Sequence, residues 1–167
     1  TVQAATGSGT EPSVTAYATK DQLMTAFNPD SNGDATTIGK LVFGKNSSSV
    51  AQEWHILGKD EGVSGDNTII FAASPIATKQ AFEDDDSNKK TFASSFGVYE
   101  TNPSDVYPNH YGASDLRVAL KGMADGSNET YFTTAEQRLM NATTVTTYDT
   151  RNSVNYTTTD KLYALAA

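Results

Sequence analysis

Three runs in the first half of the chain are rich in apolar, β-favouring positions: TIGKLVFG (37–44), AQEWHILG (51–58) and NTIIFAAS (67–74). Clusters of Gly, Asn, Ser and Asp bound each run, and β-branched or aromatic residues between such breaks predict strands. In the second run the alternation sets Trp54 and Ile56 on one face and His55 and Leu57 on the other. The tail alternates as well. TTVTTYDT (143–150), a turn at Arg151-Asn152-Ser153 and VNYTTTD (154–160) precede KLYALA (161–166), where Leu162 and Leu165 bracket Tyr163. VTAYA (14–18) is a short strand candidate.

Helical spacing occurs three times. In TKDQLMTAF (19–27), Leu23, Met24 and Phe27 share a face, Thr19 can cap, and Asn28-Pro29 ends the segment. Leu116, Leu120 and Met123 form a stripe over 115–123 behind a Ser114 cap. Thr133 followed by Glu136 writes a capping box for a helix over 134–141. The predicted fold is α+β: a twisted, mainly antiparallel sheet with two or three short helices packed on it. Trp54, Ile56, Ile70, Leu116, Leu120, Leu139, Leu162 and Leu165 are the expected core. Residues 1–13, small and polar with Gly7, Gly9 and Pro12, read as a flexible arm before a single domain over 14–167.

Composition narrows the function. The chain has 167 residues, a formal charge of -8 and no cysteine. Its twelve basic residues are scattered among twenty acidic ones, which argues against nucleic acid and against anionic membrane surfaces. Without cysteine there are no disulfides, thiolate metal sites or Cys nucleophiles. No apolar run reaches the roughly 18 residues of a membrane span, so membrane insertion is not expected. An acidic chain rich in Thr, Ser and Asn, opening TVQAATGSGTEPS without Met or a signal region, suggests an exported protein with a trimmed N-terminus.

Two acidic clusters are candidate cation sites. Asp30, Asn32 and Asp34 occupy the first three ligand positions of an EF-hand-type loop, but Ala35 stands where that loop needs Gly and Leu41 where it needs Glu. A Pro-Asp-Ser-Asn-Gly turn is the first reading and a weak calcium site the second. Asp84, Asp85 and Asp86, followed by Asn88, Lys89 and Lys90, read as a solvated acidic loop. No cofactor beyond weak calcium is expected.

Catalytic patterns are sparse. His55 and His110 are the only histidines and neither has a second ligand nearby in sequence, so zinc is not expected. There is no Gly-x-Ser-x-Gly elbow and no Gly-rich phosphate motif, and no acidic residue sits in an apolar setting that would raise its pKa. The stretch GVYETNPSDVYPNHYGA (97–113) offers more. Tyr99, Tyr107, His110 and Tyr111 bring flat apolar faces, while Asn102, Asp105 and Asn109 bring amide and carboxylate oxygens. That mixture serves sugar or protein recognition. Anchoring a long ordered loop on a core is the first reading of the same residues, and recognition the second.

Several segments together resemble a known family. QEWHILGKD with NTIIFAASPIA, then YGASDLRVALKGMA, YFTTAEQRLMNATTV and TTTDKLYALA, are similar to a poorly characterised domain of surface proteins in gut Firmicutes. That family is related in architecture to C-type-lectin-like and formylglycine-generating-enzyme-like domains. The resemblance covers 36–167 and implies an α+β fold on a secreted or wall-attached protein, with no catalytic residues to carry over. Family members continue into a Trp-rich segment, whereas this chain stops at Ala167 with Trp54 its single tryptophan, as a truncated or short form would. The expected role is a non-enzymatic, secreted or cell-surface adhesion module that recognises a glycan or a surface protein. The alternative is a subunit of a surface filament that assembles with copies of itself through strand addition at its termini.

Overall fold

The computed structural model describes residues 3–5, 16–17, 40–59, 67–84 and 88–164. The helix expected over 19–27, the candidate calcium ligands Asp30, Asn32 and Asp34, and Asp85, Asp86 and Leu165 lie outside the described residues. The fold is α+β, with antiparallel strands in small sheets and, among the described residues, two short helices. Among the described residues no helix is long and apolar enough to cross a membrane. The chain divides into two compact units, Thr1–Thr78 with Thr130–Glu136, and Lys79–Glu129 with Gln137–Ala167.

The first unit is a five-stranded sheet. Gln3–Ala5 (β1), Ala16–Tyr17 (β2), Lys40–Lys45 (β3), Ala51–Lys59 (β4) and Thr68–Ala72 (β5) are arranged in the order β2-β1-β3-β4-β5. Thus part of the 1–13 segment is a strand, and Ala16–Tyr17 holds one edge. Alternation along β4 buries Gln52, Trp54 and Ile56, as the sequence pattern requires. Trp54 pairs with Leu41 across the ladder, and its indole N–H donates to the Phe43 carbonyl at 2.7 Å. Phe132 closes this core against the Phe43 and Trp54 rings, with centroids at 5.5 and 6.4 Å. Gly44 is required at the bulge in β3: its φ is +71°, and a Cβ would stand 2.5 Å from the Phe132 ring. The Gly44 N–H donates to the Glu136 carboxylate at 3.0 Å. Glu136 also completes the anticipated capping box, accepting from the Thr133 N–H at 2.8 Å while its own N–H reaches Thr133 Oγ1 at 3.2 Å.

The second unit is organised by a hairpin. Lys90–Thr91 (β6) pairs with Asp105–Val106 (β7), and Thr143–Asp149 (β8) pairs with Val154–Asp160 (β9). The outer side of β9 meets Val98 through two backbone hydrogen bonds with Thr157, at 2.9 and 3.0 Å. Helix Asp115–Asp125 (α1) starts at Ser114, whose hydroxyl accepts from the Arg117 N–H at 3.1 Å. The buried Arg117 guanidinium lies on the buried Asp160 carboxylate at 2.9 and 3.1 Å and donates also to the Ser95 and Gly112 carbonyls. The second helix is Thr134–Leu139 (α2).

Four expectations are corrected. Leu116 and Leu120 are half-buried, because the buried positions of α1 include Arg117 and Ala124, and the Asp160 pair turns that face inward. Leu139 is 51% exposed: a six-residue helix is too short to bury a full apolar stripe. Ile70 is half-buried on β5, which among the described residues has a neighbouring strand on one side only. Lys161–Ala164, the described part of the expected last strand, is not in a strand, although Leu162 is buried.

Candidate binding site

The aromatic stretch converges on β8 and β9 in the second unit. Tyr99, His110 and Tyr156 stack with interplanar angles of 13° to 20°, the His110 and Tyr156 centroids 4.2 Å apart. The stack carries one polar chain. The Ala113 N–H donates to Nδ1 of His110 at 3.2 Å, which leaves the ring proton on Nε2. Nε2 meets the Tyr99 hydroxyl, and that hydroxyl donates to Asp149 Oδ2 at 2.9 Å. Gly112, inside this loop, must lack a side chain, since a Cβ would sit 1.7 Å from the Phe96 carbonyl oxygen.

Electrostatics fix the protonation states. Burial pushes the Tyr99 hydroxyl far up, with Asp149 adding to the effect, so it remains a donor. Burial likewise holds His110 below the ordinary imidazole value, against the pull of the nearby Asp149 charge, so the ring is neutral. Burial works to raise the Asp149 pKa, but bonds from Asn152, Tyr99 and Arg151 outweigh it and leave the net value depressed. Asp149 Oδ1 accepts from the Arg151 and Asn152 N–H groups, and Oδ2 from Tyr99 and the Asn152 amide. One carboxylate therefore shapes the β8–β9 turn and anchors the loop.

A cavity of about 250 Å³ opens beside this network. Asn109, His110 and Tyr111 line one side; Val145, Thr147, Tyr148, Asp149 and Thr150 line another; Phe82, Tyr156 and Ala164 complete it. Tyr148 and Phe82 are 53% and 41% exposed, aromatic surface that solvent reaches. Burial raises the Tyr111 hydroxyl to about 12, and it accepts from the Ala164 N–H at 3.4 Å.

The other anticipated residues lie elsewhere. Asn102 is exposed and is not among the lining residues. Asp105 is on β7 with Lys89 Nζ at 3.4 Å. Tyr107 lies under two cations, Lys89 at 4.9 Å and Arg151 at 4.5 Å from its ring centre. Asp84 uses its N–H on the Asp115 carboxylate at 2.9 Å. Among the described residues there is no cluster of three or more His, Asp or Glu that could hold a metal. Sequence reasoning missed Asp149, Tyr156, Tyr148 and Phe82. Asp149 had a local signal, an Asp opening a Thr-Arg-Asn turn, where its carboxylate can cap the following N–H groups.

Comparison with known protein families, with curated proteins and with solved structures finds no match.

Proposed function

We propose that the second unit is a non-catalytic recognition module, on a secreted or cell-surface bacterial protein, whose cavity seats a sugar residue of a glycan. The observation that carries this reading is the cavity's lining. Exposed Tyr148 and Phe82 offer ring faces to the apolar side of a sugar, while Asn109, Thr147 and Thr150 offer amide and hydroxyl groups to its hydroxyls. A volume of about 250 Å³ falls just under the roughly 300–1,000 Å³ of sites for drug-sized ligands, which suits one or two sugar rings. The non-catalytic part of the reading is supported by His110, whose ring nitrogens both point into the network anchored on Asp149. The test is a glycan array probed with the wild-type chain, Tyr148→Ala and Ala164→Trp. Binding that survives both substitutions would remove the cavity from the reading.

A second reading keeps one specific support. Among the described residues Ala16–Tyr17 forms one edge of the five-stranded sheet, and an edge strand can pair with a strand from another chain. Light scattering at rising concentration tests it: assembly supports a filament subunit, and a constant monomer mass sinks it.

A further inference from the structure

The Tyr107 ring and the two cations over it are next in the chain to residues that line the cavity. The Tyr107 carbonyl accepts from the His110 N–H at 3.0 Å, and Asn109, between those residues, lines the cavity. Arg151 follows Thr150, another lining residue, and its backbone N–H is one of two that donate to Asp149 Oδ1, at 3.0 Å. Arg151 and Lys89 both lie over the Tyr107 ring. In a chain of charge -8, these two cations offset the two carboxylates nearest them, Asp105 and Asp149.

The nearby carboxylates are spoken for. Asp105 takes Lys89 at 3.4 Å, and both Asp149 oxygens are filled by hydrogen bonds from Tyr99, Arg151 and Asn152. The Arg151 guanidinium, among the described residues, has no carboxylate partner and is held by the Tyr107 ring face. Arg117, the buried arginine of this unit, is fully committed to Asp160 and two carbonyls. A guanidinium restrained on one side presents its remaining N–H fork to a planar or tetrahedral oxyanion. Hydrogen bonds from Arg151 and then from Lys89 hold the Tyr107 phenol below its ordinary value.

The geometry points to a sugar that carries an oxyanion, either a carboxylate or a sulfate ester, as the ligand of the cavity, with the ring between Asn109, Tyr148 and Thr150 and the anion on Arg151. This rests on the proposed glycan reading and names the class of glycan. Lys89 contributes less, since Asp105 already screens it.

The experiment uses the whole chain against immobilised oligosaccharides in three sets: neutral, uronic-acid-containing and sulfated. Wild type is compared with Arg151→Met and Ala164→Trp, and melting curves verify that each variant is folded. Arg151→Met keeps the backbone N–H on which Asp149 depends. The expected result is retention of one acidic set about tenfold or more above the neutral set, with that preference lost in Arg151→Met. Ala164→Trp should abolish binding altogether. Whether the uronic or the sulfated set is retained distinguishes carboxylate from sulfate. Binding of neutral and acidic sugars alike, unchanged in Arg151→Met but lost in Ala164→Trp, would overturn the inference and leave the glycan reading standing. Acidic binding that needs Arg151 and ignores Ala164→Trp would overturn the combined site. No retention in any set would overturn both.

Discussion

The Tyr99 hydroxyl donates to the Asp149 carboxylate at 2.9 Å, joining residues fifty positions apart in the chain. The same hydroxyl meets Nε2 of His110, so one oxygen fastens the aromatic loop to the β8–β9 turn. Its removal leaves a buried imidazole N–H and a buried carboxylate each short of a partner. Tyr99→Phe is expected to cost about 1–3 kcal/mol, read by chemical denaturation. A loss below a few tenths would mean that the network does not hold the loop.

Acid should weaken this unit in two stages. An unfolded chain protonates His110 at its ordinary value of 6.5, while burial keeps the folded ring neutral lower than that. Its contribution to stability is therefore complete above 6.5 and declines as the pH falls below it. Asp149 is likewise depressed from 3.8, so its contribution holds above 3.8 and goes as the pH drops through the folded value. The melting temperature of wild type should fall between about pH 7 and about pH 5, and that of His110→Gln should fall less. Equal slopes in the two proteins would assign the loss to another group.

The pair of Arg117 and Asp160 is buried on both sides. Arg117→Ala leaves a carboxylate without its counter-charge and should cost about 3–5 kcal/mol. The double variant Arg117→Met with Asp160→Leu should recover most of that loss. Failure of the double variant to recover would show that the guanidinium's bonds to the Ser95 and Gly112 carbonyls, not the ion pair, dominate.

In the first unit, Trp54 fills the space between Leu41 and Phe132 and satisfies the Phe43 carbonyl. Trp54→Ala is expected to cost about 3–5 kcal/mol through the cavity left behind. Trp54→Phe keeps most of the packing and should cost less. Equal losses would place the energy in the indole hydrogen bond.

Local order was legible wherever it follows from neighbouring residues. Thr-rich alternation set the limits of β8 and β9, and the Thr133–Glu136 box and the Ser114 cap formed as written. Burial was less legible. A stripe of Leu116, Leu120 and Met123 suggests one inward face, but the buried Arg117 shifts it, and a hydrophobic count cannot register an arginine as core. The site was half legible. Asn109, His110 and Tyr111 are contiguous and lie in a stretch whose composition flagged recognition. Phe82, Tyr148, Asp149 and Tyr156 join them only through tertiary structure, and Asn102 was grouped with them by proximity in sequence alone.

The most direct measurement is amide shift mapping with an oligosaccharide retained on the array, titrated into the labelled chain. The largest shifts are expected at Asn109, Tyr111, Tyr148 and Thr150, with Arg151 following if the ligand is acidic. Shifts confined to the five-stranded sheet, or none at saturating ligand, would contradict the assignment of this cavity as the binding site.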